Sequence, residues 1–161
     1  MIRSPLLIVS LVILLILIEL SCSTKKNYFP EKISNLLLVK TISGKEAYDL
    51  INKLHFQPVA QGSSEIGFYE NLSGSAVIYI THYKSKKDAK VYFDKMTEKI
   101  SPENSVFINQ EFFDYEGNNI YKCFGMGKTH FVFTYNTELF WIAVDTHIAT
   151  EFFRKYYSSI Q

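Results

Sequence analysis

The stretch NIYKCFGMGKTHFVFTYNTELFWIAV, from Asn119 to Val144, decides the fold of this chain. It is built from runs rich in aromatic and β-branched residues, the composition typical of β-strands. The three runs are Asn119 to Phe124, His130 to Tyr135 and Leu139 to Val144, and they are separated by Gly125 to Lys128 and by Asn136 to Glu138. Because strands joined by such short connections pair antiparallel, the stretch predicts an antiparallel sheet.

The chain before this stretch repeats the pattern. Val106 to Tyr115 is a further run that reaches Asn119 through the turn Glu116 to Asn119. Two earlier runs, Ile66 to Glu70 and Ala76 to Tyr83, flank the turn Asn71 to Gly74. The whole chain has 13 Phe and 11 Tyr, which suits a sheet with large rings on its buried side.

Three helices are predicted from apolar residues that recur at helical spacing. Their ranges are Ser43 to His55, Ser85 to Ser101, and about His147 to Ser158. Ser43 and Glu46 have the spacing of a capping box, in which each side chain satisfies a free amide at the helix start. Pro102 ends the second helix, because the residue before a proline is pushed out of the helical region.

These elements predict an α+β domain over residues 31–161. We expect an antiparallel sheet of about six strands packed against about three helices, in the order α-β-β-α-β-β-β-β-α. Pro30 suits the first position of a short helical turn, and Leu36 to Lys40 fits either a strand or a helix. A weak internal repeat relates Ser75 to His82 with Leu139 to Thr146, since each segment precedes a helix.

The N-terminus has the pattern of an export signal. Arg3 precedes an apolar run from Leu6 to Leu20, and these roughly 15 residues are fewer than the ~20 that a helix needs to span a bilayer. A cleaved signal peptide is therefore predicted for residues 1–21. Residues 22–30 would form a tether to the domain.

The junction Leu20-Ser-Cys22-Ser-Thr-Lys resembles the lipobox of bacterial lipoproteins. The resemblance implies that Cys22 is lipidated, becomes the first residue of the mature chain and anchors it to a membrane of the cell envelope. Glu19 stands where the lipobox prefers leucine, so an uncleaved signal anchor and an ordinary signal peptide remain alternatives. All three place the domain outside the cytoplasm, and none decides between inner and outer membrane.

Charge and cysteine content argue against nucleic-acid binding and against a disulfide bond. The net charge is +1, from 17 basic and 16 acidic residues, so no excess of positive charge points to nucleic acid. The chain has two cysteines. Lipidation would consume Cys22, and Cys123 is therefore predicted to be a buried, inert thiol and not a disulfide partner.

No pattern for a cofactor, a metal or catalysis is present. Gly125 to Thr129 superficially resembles a phosphate loop, but Lys122 stands where that motif needs glycine, and the segment joins two strands. The histidines lack metal-site spacing; they are His55, His82, His130 and His147. No serine or cysteine lies in a nucleophile motif. We therefore expect no cofactor, no metal and no enzymatic activity.

Several segments are similar to a set of uncharacterised exported bacterial proteins. They are Gly44 to Ala47, Leu54-His55, Met96 to Ile100, Gly125 to Gly127, His130 to Phe133 and Phe140-Trp141. The resemblance covers most of residues 40–160 and implies a compact envelope domain without an assigned activity. It also implies where a shared binding site would lie: His55, Gly125, Gly127, His130 and Trp141. The alternative is that Trp141 belongs to the core and that the glycines form a turn.

The sequence favours a non-catalytic binding or interaction module in the cell envelope. Its expected partners are the membrane, through the lipid anchor, and an envelope protein; the oligomeric state is not predicted. One alternative is a small-ligand or metal-binding domain with a pocket between sheet and helices, and another is an enzyme with an unfamiliar site. A closed apolar pocket would favour the ligand, whereas a filled core with an exposed apolar sheet edge would favour the protein partner.

Overall fold

A computed structural model describes residues 26–55, 62–101 and 105–161. The predicted signal peptide, Cys22 and the tether as far as Lys25 lie outside these residues. The strands are β1 (Lys32–Ile33), β2 (Leu36–Ser43), β3 (Ser64–Asn71), β4 (Gly74–His82), β5 (Phe107–Tyr115), β6 (Asn118–Gly125), β7 (Lys128–Tyr135) and β8 (Glu138–Asp145). The helices are α1 (Gly44–His55), α2 (Lys86–Ile100) and α3 (Ala149–Ser159), and a 3-10 turn, Thr146–Ile148, precedes α3.

The strands form one antiparallel sheet with the spatial order β1-β2-β3-β4-β8-β7-β6-β5. The predicted α+β class, with a single antiparallel sheet and three helices, is confirmed. The sheet has eight strands, however, so the expectation of about six was wrong. The observed order along the chain is β-β-α-β-β-α-β-β-β-β-α, with two strands ahead of the first helix.

Of the two additional strands, β1 lacks a local sequence signal and β2 has an ambiguous one, since Leu36 to Lys40 fitted either a strand or a helix and is a strand. β1 has two residues, Lys32 and Ile33, and exists because they pair with Leu37 and Leu36 of β2. The helical turn expected after Pro30 is therefore replaced by this pairing. β2 does not alternate regularly between buried and exposed residues, because the register shifts between Leu38 and Lys40. An irregular strand of this kind leaves no period-2 pattern.

The second helix begins and ends as its sequence predicts. Ser85 is its N-cap: its Oγ accepts a hydrogen bond from the Asp88 backbone N–H and donates one to the Asp88 carboxylate at 2.7 Å. The first of these bonds satisfies a backbone N–H that a helix start leaves free. Ser101 is the C-cap. The buried side of α2 carries Ala89 and Phe93, which predicts its orientation toward the sheet.

The sheet lies between two helical layers. One face packs against α3 and against the extended segment 26–30, hereafter the strap. The other face packs against α1 and α2. Successive side chains of β8 show this division. Ile142 belongs to the cluster of buried residues that packs against α3, hereafter the α3 cluster. Trp141 packs against the cluster that includes Phe93 of α2, hereafter the α2 cluster. Much of the α3 cluster consists of aromatic rings, such as Phe133 and Phe140, which are stacked at 4.9 Å.

The weak repeat in the sequence has a structural counterpart. Hairpin β3–β4 pairs Asn71 with Gly74 across its turn, and hairpin β7–β8 pairs Tyr135 with Glu138 in the same way. Each hairpin leads into a helix, and β4 and β8 pair antiparallel at the centre of the sheet. The two helices then pack on opposite faces of the sheet, so the repeat is limited to the hairpins.

Candidate functional site

Three of the residues implied by the resemblance lie together. The Trp141 Nε1–H donates to His130 Nδ1 at 2.8 Å, and His130 Nε2 lies 3.0 Å from the Gly125 carbonyl oxygen. The ring of Phe107 packs against both aromatic rings. Because Nδ1 accepts and a carbonyl can only accept, the proton of the imidazole lies on Nε2. Both ring nitrogens are thus engaged within the fold.

The surroundings of His130 keep its ring neutral. Burial lowers the pKa of His130, against the opposing effect of the Gly125 carbonyl, and the positive charge of Lys128 lowers it further. His130 is 5% exposed. A neutral ring whose two nitrogens are both hydrogen-bonded within the fold has no free lone pair for a metal ion. The arrangement joins β6, β7 and β8 and has a structural role.

Gly127 is separate from this hydrogen-bonded group, and the structure does not describe the side chain of His55. Gly127 lies in the β6–β7 turn with φ +77°, where a Cβ would meet no atom within 4 Å. At Gly125, by contrast, a Cβ would lie 2.5 Å from the Phe107 ring, so glycine is required there for packing. His55 is the last residue of α1, and its side chain lies outside the described part of the structure.

Lys128, the lysine of the segment that superficially resembles a phosphate loop, is held in an ion pair. Its Nζ donates to Asp145 at 2.6 Å and to the Ser75 Oγ at 2.9 Å. The hydrogen bond from Lys128 lowers the pKa of Asp145, and the Ser75 backbone N–H contributes in the same direction. Lys128, Asp145 and Ser75 thus form one hydrogen-bonded group that links β7, β8 and β4.

Cys123 is completely buried in the α2 cluster, and burial raises the pKa of its thiol to about 11. The reactive species of a cysteine is the thiolate, which is scarce at neutral pH when the pKa is this high. The position and the pKa agree with the predicted inert thiol.

A second polar cluster, which sequence reasoning did not identify, surrounds His82. Its Nδ1 lies 3.5 Å from the Glu138 carboxylate, and its Nε2 lies 3.6 Å from the Glu65 carboxylate. Nε2 is buried and has no hydrogen-bond partner. The Tyr28 ring of the strap lies 5.9 Å from the imidazole. Burial, followed by the charge and the hydrogen bond of Glu138, raises the pKa of Tyr28 to about 12.

The His82 cluster does not have the geometry of a metal site. A metal ion requires its ligands to converge on one point, whereas Glu65 and Glu138 face opposite nitrogens of the ring. Among the described residues, no group of three or more His, Cys, Asp or Glu side chains is placed to hold a metal ion.

Two clefts open onto the surface near these elements. A cleft of about 320 Å³ is lined by the first residues of β3 and by His82. A groove of about 390 Å³, hereafter the α3 groove, lies on the α3 face beside β5. Its lining consists of Glu111, Phe113, Asp114, Tyr115, Lys122, Phe131, Thr150, Phe153 and Arg154. Both clefts are open to solvent, whereas the space between sheet and helices is occupied by packed rings.

Strand β5 ends the sheet and carries exposed apolar side chains. Ile108 and Phe112 are 60% and 54% exposed, and Val106, directly before the strand, is 69% exposed. Within the described residues, β5 pairs with β6 only. At the start of the strand, nearby side chains occupy the backbone groups of Phe107. The Phe107 carbonyl oxygen accepts a hydrogen bond from Gln110 Nε2 at 2.7 Å, and the Phe107 N–H donates to Ser105 Oγ. The open part of the edge is therefore Glu111 to Tyr115.

The sequence predicts the strand β5 but gives no signal for the His82 cluster. Val106 to Tyr115 was predicted as a strand, but its position at the sheet edge depends on the pairing of all the other strands. Nothing in the local sequence relates Glu65, His82 and Glu138, because they come from three different strands. Once β3, β4 and β8 are known to be neighbours, the alternation of side chains along each strand places all three residues on the same face of the sheet.

Comparisons with protein families, with curated proteins and with solved structures find no match to this chain. Within residues 26–55, 62–101 and 105–161, no helix has the length and apolar character needed to cross a membrane.

Proposed function

We propose that this protein is a lipid-anchored envelope protein whose domain is a non-catalytic interaction module, and that it binds an extended segment of a partner protein along β5. The observation that carries the proposal is an open strand edge, Glu111 to Tyr115, which includes the exposed Phe112 and follows the exposed Ile108. An open edge offers unpaired backbone donors and acceptors to an incoming strand. Exposed apolar residues beside it supply area that binding removes from water.

The interior of the domain supports binding at the surface. Stacked and edge-on rings fill the layer between the sheet and α3, for example Phe131 on Phe153 at 4.5 Å. The two clefts described above are open and have polar rims. A small apolar ligand would normally require an enclosed pocket. The alternatives of a small-ligand domain and of an enzyme have less support from these contacts.

Anchoring is tested by lipid labelling. Cells that express the full chain should incorporate labelled palmitate into wild type and lose the label in Cys22→Ala. Cys123→Ala is the matched control and should keep the label, because its thiol is buried within the domain. Absence of label from wild type would contradict the lipid anchor. Since only Cys22 would be modified, this experiment does not depend on the partner.

Binding at the edge is tested by photo-crosslinking in intact cells. A photoreactive phenylalanine at position 112 should give a light-dependent adduct of one discrete mass, and mass spectrometry should locate the link in an extended segment of the partner. The same group at Leu72 is the control, because this residue is more exposed and lies in the β3–β4 turn, away from β5. An adduct of the same mass from both positions, or none from position 112, would contradict binding at β5.

A further inference from the structure

The open part of β5 turns the backbone groups of Phe112 and Asp114 away from the sheet. The β5–β6 hairpin has a two-residue turn with positive φ at both positions, and the pair that closes such a turn, here Tyr115 with Asn118, is hydrogen-bonded. Hydrogen-bonded and non-hydrogen-bonded pairs alternate along antiparallel strands, and the register is regular from Glu111 to Tyr115. The N–H and carbonyl groups of Phe112 and Asp114 therefore point to the open side.

An antiparallel β5 from a second copy of the chain matches this segment from end to end. With Phe113 opposite its own copy, Glu111 lies opposite Tyr115, and Phe112 lies opposite Asp114. Both members of the Phe112–Asp114 pair have outward-facing backbone groups, so they exchange N–H···O bonds across the seam. The arrangement has two-fold symmetry, in which the same surface of each copy binds the other.

This pairing removes aromatic surface from water on both faces of the sheet. Phe113 is partly buried beside Phe153 on the α3 face, and in the pair it meets the Phe113 ring of the second copy. Phe112 lies on the other face, beside Phe93 of α2, and is 54% exposed until the added strand covers it. Removal of apolar area from water favours association.

The charges beside β5 are balanced and permit a copy of the same surface to approach. Glu111 is ion-paired with Lys122 at 2.7 Å, and the exposed Arg154 offsets Asp114 in the α3 groove. The two Glu111 side chains lie about 14 Å apart along the seam, beyond the screening length of about 8 Å at physiological salt. The two Asp114 side chains are diagonal neighbours, but each carboxylate accepts from the Gly117 N–H of its own hairpin, away from the axis.

The position of the tethers favours a second copy over an unrelated segment. The two-fold axis of an antiparallel edge pair is perpendicular to the sheet, so the α3 faces of both copies lie on the same side. The strap lies on that face, and its Lys26 donates to the Ile160 carbonyl. The next residue, Gln161, donates to Glu116 in the β5–β6 turn, close to the axis at Phe113. Both tethers therefore leave the pair on one side and near its centre.

We infer that the partner segment on β5 is β5 of a second copy of this chain, paired antiparallel about a two-fold axis at Phe113, with both copies anchored in the same membrane. The inference rests on the proposed function, since it requires binding along β5 and a lipid anchor at Cys22. Confinement of both anchors to one membrane raises the effective concentration of the copies, so a short seam is sufficient for pairing.

Disulfide formation in native membranes tests the register. Phe113→Cys in the full chain should give a disulfide-linked species of twice the chain mass on mild oxidation, because opposed Cα atoms at about 4.5 Å suit a disulfide. Glu111→Cys is the matched control on the same face of the same strand, and its copies, about 14 Å apart, should not link. The parent chain shows any link through Cys22 or the buried Cys123.

A second pair of variants keeps Phe113 and its packing in place. Glu111→Cys and Tyr115→Cys, expressed in the same cells with different tags, should link to each other, because these positions lie opposite in the inferred register. Neither variant should link to itself. No link in both Phe113→Cys and the mixed pair, or linking of Glu111→Cys alone to the same extent as Phe113→Cys, would overturn the inferred pairing.

The mass of the photo-adduct formed at position 112 separates the inference from the proposed function. An adduct of twice the chain mass, linked within residues 111–115 of the second copy, supports both. A discrete adduct of another mass leaves binding along β5 in place and overturns the second copy as its occupant. Absence of any adduct overturns both.

Discussion

His130 and His82 lie on the same sheet but differ in their hydrogen bonding. His130 has a partner at each nitrogen, Trp141 and Gly125, and is held neutral. His82 has carboxylates on both sides and a buried Nε2 without a hydrogen bond. Residue type alone could not separate these two roles, because the partners of each ring come from other strands.

The neutral state of His130 predicts a pH dependence of stability. The pKa of His130 is lowered in the folded protein, whereas the unfolded value is about 6.5. Below that pH the unfolded chain binds a proton that the folded chain does not. The free energy of unfolding should therefore fall as the pH falls through about 6.5, by at most about 1.4 kcal/mol per pH unit.

His130→Gln is the variant that tests this pH dependence. Glutamine keeps an acceptor for Trp141 and a donor for Gly125 but does not titrate. Urea unfolding between about pH 7.5 and 5.5 should show a smaller loss of stability in this variant than in wild type. His147→Gln, at an exposed position, should behave as wild type. Equal slopes for His130→Gln and wild type would contradict a neutral His130.

At the scale of the elements, the β6–β7 hairpin shows two uses of glycine. Met126 and Gly127 both have positive φ, 52° and 77°, as a tight two-residue hairpin turn requires. Gly125 does not have positive φ, but its missing side chain lets the Phe107 ring and the Val106 carbonyl approach. The pattern Gly-Met-Gly thus predicts a turn, whereas the tertiary contact with β5 explains the first glycine.

These two roles predict different costs of substitution. Gly127→Ala should reduce the free energy of unfolding by about 1 kcal/mol, because only the backbone conformation is strained. Gly125→Ala should cost about 2–3 kcal/mol, since the added Cβ overlaps Phe107 and the surrounding core must shift. Urea denaturation of both variants measures the difference. A greater loss for Gly127→Ala would show that packing against Phe107 is loose.

At the scale of the whole molecule, the strap joins the N-terminal tether to the core. The Tyr156 and Tyr69 hydroxyls donate to the carbonyl oxygens of Tyr28 and Pro30 at 3.1 Å and 3.0 Å. The Phe29 ring occupies the space left by Gly67, where a Cβ would lie 2.4 Å from it. The strap therefore continues the α3 layer across the sheet.

Removal of the Phe29 ring should destabilise the entire domain. Phe29→Ala should reduce the free energy of unfolding by about 3–4 kcal/mol, because a buried ring is lost and its site cannot close. Leu72→Ala, at a fully exposed turn position, should change it by less than about 0.5 kcal/mol. Thermal or urea unfolding measures both. A small effect of Phe29→Ala would mean that the strap is not part of the cooperative fold.

The docked strap also limits how far the proposed lipid anchor can lie from the domain. An extended chain from Cys22 to Lys26 spans at most about 14 Å. Lys26 donates a hydrogen bond to the Ile160 carbonyl, so the tether would leave the domain beside the C-terminal end of α3. The proposed partner segment would then bind close to the membrane surface.

The sequence by itself determined the α+β class, the three helices and the hairpins. These features depend on neighbours along the chain: alternation gives strands, the Ser85 cap and an apolar stripe give α2, and tight turns give antiparallel pairs. Gly125, His130 and Trp141 could be assigned to turn and strand positions in the same way. Their mutual hydrogen bonds could not, because register between strands is not encoded locally.

Only the tertiary structure decided how the two halves of the sheet meet. The pairing of β4 with β8 brings His82 opposite Glu138 and leaves β5 at the end of the sheet. β1, with two residues, forms only because β2 is beside it. Such contacts join residues that are far apart in sequence, and their stability depends on burial and packing of the whole core. The candidate binding edge is a product of that long-range pairing.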